Sequence, residues 1–311
     1  MPDTLQTGLC AAMRVRFTTV DVTESARALE LRHLAGPTAG AVLAEGLVAV
    51  ALLSTDAAHD DEAVYIRLKV SGPVQGLLVE ASGNGDLRGF PHMKALNDLD
   101  GAETIDPHTA LGEAGSAEIV RTVPGRILNQ SMIKVNPPRL DKVLARFFYQ
   151  SAQVPTAVAI VTRSDVAGVL YARGIMAERM PDTASETFVA VLEAFQDGRV
   201  AARLAETERL ADFADVFGSP ALGPSTTREL RFRCRCTKEK IMSVLRALPG
   251  TELDEMIGEA RDLHAACHMC GEDYVMTQEE LKAIRAARGE EGKSEIRNSK
   301  SEGSTKSENG K

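Results

Sequence analysis

The sequence lacks the motifs by which common enzymes are recognised. It has no glycine loop followed by Lys and Ser or Thr, no nucleophile elbow and no paired-histidine zinc motif. A glycine-rich stretch, Ser82-Gly83-Asn84-Gly85-Asp86, is typical of a tight turn between strands. We therefore do not expect an enzyme, and we see no site that would bind and hydrolyse a nucleotide.

An excess of basic residues is also missing. The 311-residue chain has 36 Lys and Arg against 44 Asp and Glu, which gives a formal net charge of −8. Proteins that hold nucleic acid through its phosphates usually carry a basic surface. Nucleic acid is therefore not an expected partner.

Long apolar runs and a secretory leader are absent as well. The longest apolar run, residues 39–53, is shorter than a membrane span and contains Glu45. The first residues lack the basic start and apolar stretch of a signal peptide. We expect a cytoplasmic protein without a membrane partner, and in that compartment paired cysteines more often serve metal or redox chemistry than structural disulfides.

Cysteine is scarce, yet its placement is informative. The chain has five cysteines, and four of them form two tight pairs with residues 237–266 between them. The pairs are Cys234-Arg235-Cys236 and Cys267-His268-Met269-Cys270. Four thiolates that converge make a closed tetrahedral site for zinc. We therefore predict that the reduced protein binds one zinc ion through Cys234, Cys236, Cys267 and Cys270.

Charged residues near the pairs fit this prediction. Four basic residues flank the first pair and would offset the negative charge of four thiolates around a divalent ion. They are Arg233, Arg235, Lys238 and Lys240. His264 and His268 lie near the second pair and are alternative ligands. Since four sulfurs already complete a tetrahedron, we expect both histidines to be solvated or to lie behind the ligands.

The apolar patterns predict an α+β fold. Hydrophobic residues make up 44% of the chain, and alternating segments from 13 to 181 predict a mainly antiparallel sheet with inserted helices. Strands are expected at 13–17, 65–70, 76–81, 87–90, 117–123, 127–135, 157–162 and 169–176, and helices at 23–34, where Thr23 would be the cap, and 38–53. Residues 1–12 are interpreted as a polar leader in which Cys10 has no role.

The C-terminal half changes to helical patterns. Residues 182–229 predict a helical linker, and residues 230–288 a small zinc-binding domain. Thr237 is expected to cap a helix, and Thr277 with Glu280 to form a capping box. Because this domain has few apolar residues, metal binding should supply much of its folding free energy. Residues 289–311, rich in Ser, Glu and Lys, are predicted to be disordered.

Several stretches carry a resemblance to a known family. Leu230-Arg231-Phe232-Arg233-Cys234-Arg235-Cys236-Thr237-Lys238-Glu239 is similar to the start of the zinc domain of the heat-shock protein 33 family, and Cys267 to Cys270 with Tyr274 is similar to its end. Further matching stretches are Leu87-Arg88-Gly89-Phe90, Phe147-Phe148-Tyr149-Gln150-Ser151-Ala152-Gln153-Val154-Pro155-Thr156 and Gly174-Ile175-Met176-Ala177-Glu178-Arg179-Met180-Pro181. The resemblance covers about residues 13–285.

The resemblance implies a redox-regulated, ATP-independent holdase chaperone that protects unfolding proteins under oxidative stress. In the reduced state the four cysteines would hold zinc and the chaperone would be inactive. Oxidation would release the zinc and join Cys234 with Cys236 and Cys267 with Cys270. The linker would then unfold and expose a surface for unfolded client proteins, and the oxidised form would tend to be a homodimer.

The element expected to be released is an amphipathic segment of the linker. Its apolar residues repeat at helical spacing. They are Phe188, Val191, Leu192 and Phe195. An ordinary packed helix would show the same pattern, so the sequence leaves both interpretations open.

A second function stays open on the sequence. A four-cysteine zinc module beside an α+β domain could also be a zinc ribbon that docks proteins or nucleic acid. The acidic composition and the absence of a basic surface pattern interleaved with aromatic residues count against nucleic acid.

Overall fold

The computed structural model describes residues 2–102, 104–219 and 222–287. Contacts within these residues define two compact units. The first contains residues up to Cys234 together with His268–Gly271, and the second contains Arg235–Cys267 and the residues from Glu272 onward. The domain boundaries expected at 181, 229 and 288 stay predictions, and the tail predicted at 289–311 lies outside the described residues.

The secondary structure combines a large sheet with separate helices, which confirms the α+β class. The strands are β1 Asp3–Cys10, β2 Val15–Asp21, β3 Ala63–Val70, β4 Gly76–Ser82, β5 Asp86–Pro91, β6 Gly115–Val123, β7 Arg126–Val135, β8 Thr156–Asp165, β9 Gly168–Arg179, β10 Thr226–Phe232, β11 Leu263–Ala266 and β12 Asp273–Met276. The helices are α1 Thr23–His33, α2 Pro37–Leu53, α3 Asn97–Asp100, α4 Pro107–Leu111, α5 Leu140–Phe147, α6 Ser185–Gln196, α7 Arg199–Glu206, α8 Lys238–Ala247 and α9 Gly250–Gly258. Residues 278–287 are also helical.

Ten strands form one sheet in the order β7-β6-β3-β4-β5-β10-β1-β2-β9-β8. Neighbouring strands run antiparallel, except that β10 runs parallel to β5. The prediction of a mainly antiparallel sheet is therefore confirmed. β10 comes late in the chain yet lies in the middle of the sheet, and the chain that leaves it reaches Cys234 within two residues.

Helix α2 is the central helix of the first unit. Every residue from Thr38 to Leu53 is buried, and the helix packs on β4, β5, β8 and β9. Its length and composition would suit a membrane span, but 94% of that apolar window is buried inside the fold. Burial on all sides is the state of a core helix rather than of a membrane span.

The one acidic residue of α2 has a partner that explains its burial. The Glu45 carboxylate lies 3.2 Å from Nε2 of His108, on α4. The hydrogen bond from the imidazole to Glu45 raises the pKa of His108 above its usual value, because the charged imidazolium compensates the buried carboxylate.

The predicted polar leader is wrong for residues 3–10, which form β1. This strand lies between β10 and β2 in the sheet, and Leu5 pairs with Arg228 on one side and Val20 on the other. Cys10 is therefore a buried core residue, with its Sγ 3.0 Å from Ser219 Oγ. The sequence does not reveal this strand because only Leu5, Leu9 and Cys10 of its eight residues are apolar, so no apolar alternation marks it.

The predicted cap of α1 by Thr23 is also wrong. Thr23 Oγ1 accepts a hydrogen bond from the Ala172 N–H (3.0 Å) instead. The N–H groups of the first turn donate to two carboxylates: Thr23 N–H to Asp21 (2.9 Å), and Glu24 and Ser25 N–H to Asp3 (2.8 Å each). A carboxylate from a neighbouring strand thus replaces the local cap, and the helix dipole favours its negative charge.

The linker helices pack on the sheet of the first unit. Phe188 and Val191 of α6 are 5% and 1% exposed and share a core cluster with Phe17 and Ile175 of β2 and β9. Leu192 and Phe195 are partly buried against the same cluster. Strand β10 begins at Thr226, within the range expected for the linker.

The second unit has a small core of its own. Its buried residues are Leu245, Leu253, Met276, Leu281 and Ile284. The Thr237 side chain accepts from the Lys240 N–H (3.3 Å) and caps α8 as predicted. The capping box is also confirmed, since the Thr277 N–H donates to Glu280 (2.8 Å) and the Glu280 N–H donates to Thr277 Oγ1 (3.3 Å).

Candidate metal centre

The four cysteines of the two pairs converge in the structure. The sulfur atoms of Cys234, Cys236, Cys267 and Cys270 all lie within 4.8 Å of one another. Cys270 is buried and the other three are half-buried. A zinc ion bonded to four sulfurs at about 2.3 Å would place them about 3.8 Å apart. The cluster therefore has the dimensions and the soft donors to hold one metal ion.

The first pair is placed by β10. Pairing of Phe232 with Leu87 aligns the end of β10 with β5, and the Arg233 N–H continues the ladder by donating to the Leu87 carbonyl (3.0 Å). Cys234 follows immediately. Cys236 directly precedes Thr237, the N-cap of α8. The first pair therefore lies between the end of β10 and the start of α8.

The second pair lies in the turn between β11 and β12. The Cys267 N–H donates to the Glu272 carbonyl (2.8 Å) and closes the turn. Gly271 has a φ of +72°, a conformation that side chains other than glycine rarely adopt. A Cβ at this position would also lie 2.3 Å from the Arg32 carbonyl oxygen. Glycine is thus required by both conformation and space.

Backbone groups fix residues 268–271 against β5 and α1. The Gly89 N–H donates to the Met269 carbonyl (3.2 Å), and Arg32 Nε donates to the Cys270 carbonyl (3.2 Å). His33 also binds Gly89, because its Nε2 donates to the Gly89 carbonyl (2.9 Å). Burial lowers the pKa of His33, which favours the neutral imidazole.

Two side chains donate hydrogen bonds to cluster sulfurs. Arg88 Nη1 lies 3.7 Å from Cys234 Sγ, a distance that the large sulfur atom allows for an N–H donor. The Tyr274 hydroxyl lies 3.2 Å from Cys236 Sγ. Arg88 is held by Glu80, whose oxygens accept from Nη2 at 2.7 and 2.9 Å. Burial opposes the charge of Arg88, but the hydrogen bonds and charge interactions with Glu80 and Cys234 together outweigh it and raise the pKa of the guanidinium.

Neither donor is predicted by the cysteine motifs. Compensating charge was expected from basic residues beside the first pair, but Lys238 pairs with Glu280 (2.7 Å) and Lys240 Nζ donates to the Arg235 carbonyl. Arg88 comes from β5, far from the cysteines in sequence. The available signal was the stretch Leu87-Arg88-Gly89-Phe90, which was noted for its resemblance but given no role.

Neither nearby histidine belongs to the cluster. Among the described residues, the group that could hold a metal ion consists of the four cysteines. His264 Nδ1 instead lies 2.7 Å from Asp273, and the His268 ring packs 5.9 Å from the Phe90 ring. These positions agree with the expectation that the histidines do not replace a sulfur ligand.

Several known proteins are similar to this chain in sequence over most of its length, and one solved structure is similar in fold. The chain is 26% identical over 278 residues to the 33 kDa chaperonin of Bacillus licheniformis, covering 88% of this chain and 95% of that one. It is 28% identical over 276 residues to the 33 kDa chaperonin of a Cyanothece species, covering 86% and 90% of the two chains. The crystal structure of the 33 kDa chaperonin of Thermotoga maritima superposes with a TM-score of 0.83 at 23% identity, over 93% of this chain and all of that one.

The relatives matched in sequence are named chaperonins, and this similarity supports a chaperone function. The family model of the Hsp33 protein matches residues 3–277. The chain belongs to the Hsp33 family, as its resemblance in sequence indicated.

Replacing Gly271 with Ala should disturb the second cysteine pair. The added Cβ would clash with the Arg32 carbonyl, and alanine would have to adopt the left-handed backbone conformation of Gly271. We therefore expect the free energy of unfolding to fall by at least about 1–2 kcal/mol. Urea denaturation of the reduced protein measures this loss. Gly258→Ala is the matched control, because nothing lies within 4 Å of its added Cβ. Equal stability of the two variants would contradict the role assigned to Gly271.

Proposed function

We propose that this protein is an ATP-independent holdase chaperone of the cytoplasm that is activated by oxidation of a zinc-bound cysteine cluster. The observation that supports it most directly is the convergence of four sulfurs within 4.8 Å in a chain of the Hsp33 family. The membership supports a chaperone that binds unfolded clients. The cluster supports a switch built on sulfur chemistry.

Zinc is the metal that this donor set suits best. Four thiolates form the closed, tetrahedral site of structural zinc, with no position left for a substrate. Zinc, when bound, would keep the sulfurs as thiolates and cross-link the segments that carry them. Because the core of the second unit has five buried apolar residues among residues 235–267 and 272–287, this cross-link would supply much of its folding free energy.

Oxidation would remove the ligands in pairs. A thiolate attacks one oxygen of a peroxide, the O–O bond breaks, and the sulfur becomes a sulfenic acid while hydroxide leaves. A neighbouring cysteine sulfur then attacks that sulfur and expels a second hydroxide, which leaves a disulfide. The pairs proposed from the family resemblance are Cys234 with Cys236 and Cys267 with Cys270. Two disulfides leave no thiolate to hold the metal.

The linker would transmit this loss to the client-binding surface. α6 covers apolar residues of β2 and β9 through Phe188 and Val191, with Leu192 and Phe195 at the edge of the same cluster. If the linker unfolds, both its own apolar face and the sheet beneath become accessible. Such surfaces bind unfolded chains with little sequence preference. A homodimer of the oxidised form would enlarge this surface.

The reduced protein is expected to contain one zinc ion per chain. Cys→Ser variants at 234, 236, 267 and 270 should each lose most of it, because a hydroxyl is a poor substitute for a thiolate. Metal analysis after purification under reducing conditions measures the content. Cys10→Ser is the matched control and should retain zinc, since Cys10 is a core residue outside the cluster. Normal zinc in all four variants would contradict the proposed site.

Oxidised protein should keep an unfolding client in solution, whereas the reduced protein should not. Light scattering of a thermally unfolding client, with and without peroxide-treated protein, measures this at near-stoichiometric ratios. Oxidation should also increase binding of an apolar dye, and added ATP should change neither result. Equal protection by the reduced protein would contradict the switch. If neither form protects the client, a zinc module that docks proteins becomes the better explanation.

Loosening the linker should lower the oxidant needed for activation. Phe188→Ala removes a buried ring of α6 and should weaken linker packing by about 3 kcal/mol. Measuring client protection against peroxide concentration should show a shift to lower peroxide. Val189→Ala is the control on the same helix, because Val189 is 50% exposed. Identical oxidant responses of a folded Phe188→Ala variant and the control would show that α6 is passive packing.

A further inference from the structure

The two sulfurs of the first cysteine pair each receive a hydrogen bond from a different part of the fold. Arg88 on β5 donates to Cys234 at 3.7 Å, and Tyr274 on β12 donates to Cys236 at 3.2 Å. The donors differ in charge and in the strand that carries them. Each can therefore be changed without removing the other.

The Arg88 contact is supported by a second, half-buried interaction. Glu80 and Arg88 are directly opposed on β4 and β5, and their side chains are only 16% and 23% exposed. The two hydrogen bonds to Glu80 orient the guanidinium so that Nη1 remains for the sulfur. Because solvent is largely excluded, a charged donor at this position acts more strongly than it would at the surface.

The Tyr274 contact is fixed by the hairpin of the second unit. Tyr274 pairs with Ala265 across β11 and β12, and its ring packs against the core of that unit. The hydroxyl is the polar end of a largely apolar side chain, and it finds its acceptor at Cys236. Loss of the hydroxyl would leave the ring and its packing in place.

We propose that Arg88 and Tyr274 are positioning residues that restrain the reactivity of Cys234 and Cys236, respectively, in the metal-loaded cluster. A hydrogen bond to a metal-bound thiolate draws electron density away from the sulfur and occupies the lone pair that would attack an electrophile. Each donor thus sets the reaction rate of one sulfur. Glu80 contributes by holding Arg88 in place.

This inference rests on the proposed metal site and extends it. Oxidation of the cluster begins with attack by one thiolate, so the rate at each sulfur decides how much oxidant activates the protein. Arg88 lies on β5, in the same sheet whose strands β2 and β9 pack against α6. The oxidant threshold would therefore depend on residues of β4, β5 and β12 as well as on the cysteines.

Alkylation at each cysteine tests the inference without measuring chaperone activity. N-ethylmaleimide is added to the reduced, zinc-loaded protein. A thiolate sulfur bonds to one carbon of the maleimide double bond, and solvent protonates the other carbon. Mass spectrometry then gives the initial rate at each cysteine. Arg88→Met should raise the rate at Cys234 by about tenfold, and Tyr274→Phe should raise the rate at Cys236 by a similar factor, in line with the strength of a hydrogen bond to a charged group.

The crossed design separates reactivity from stability. A general loosening of the site would raise the rates at all four cysteines together, whereas our proposal requires each variant to act mainly on its own sulfur. Glu80→Gln, which keeps Arg88 but weakens its hold, should give a smaller increase at Cys234. Arg67→Met is the matched control, since it removes an arginine that pairs with Glu118 (2.9 Å) elsewhere in the sheet, and should leave the rates unchanged.

Two outcomes overturn the proposal, and they differ. If the variants retain zinc and show wild-type rates, or equal increases at all four cysteines, the positioning role is wrong while the proposed function stands. If the wild-type protein itself holds no zinc, the proposed function is wrong and this inference falls with it. Zinc content is therefore measured on each sample before alkylation.

Discussion

Four cysteine sulfurs lie within 4.8 Å of one another, and as thiolates they would repel unless a cation lay among them. This constraint bears on the C-terminal part of the chain. Within the part of the second unit that the structure describes, the apolar core has five buried residues, which is small for independent stability. A metal ion would convert the repulsion into a cross-link and so contribute folding free energy. Removal of the ligands would reverse that contribution, which makes the cluster suitable as a switch.

The cluster depends on a strand that formally belongs to the N-terminal sheet. β10 lies between β5 and β1, and its ladder with β5 ends at the residue before Cys234. The same strand β5 carries Arg88, which donates to Cys234, and Gly89, whose N–H fixes Met269. Strand β5 thus contacts Cys234 of the first pair and Met269 within the second pair. The β4–β5 hairpin therefore helps to position the candidate metal centre.

Under the proposed switch the linker would meet a different constraint, because it would have to be stable in the inactive protein and yet release readily. Phe188 and Val191 are buried on the sheet, while Val189 on the opposite side of α6 is half exposed. A single helix that is apolar on one face derives most of its stability from packing rather than from intrinsic helix propensity. Its helical state is therefore sensitive to what it packs against. This property supports the proposed release without requiring a special sequence.

The sequence by itself determined the features that local spacing encodes. Helix α2, the capping box at Thr277 and Glu280, and the convergence of the four cysteines could all be predicted, because each depends on residues close together in the chain or on a residue set with one common use. The tertiary structure alone decided what depends on distant partners. β1 has little apolar alternation of its own and is held as a strand between β2 and β10. Asp3 replaced Thr23 as the cap of α1, and Arg88 reached Cys234 only because β5 and β10 are neighbours. Strand pairing is not encoded in either strand alone, since a backbone ladder can form with any edge that the rest of the fold presents.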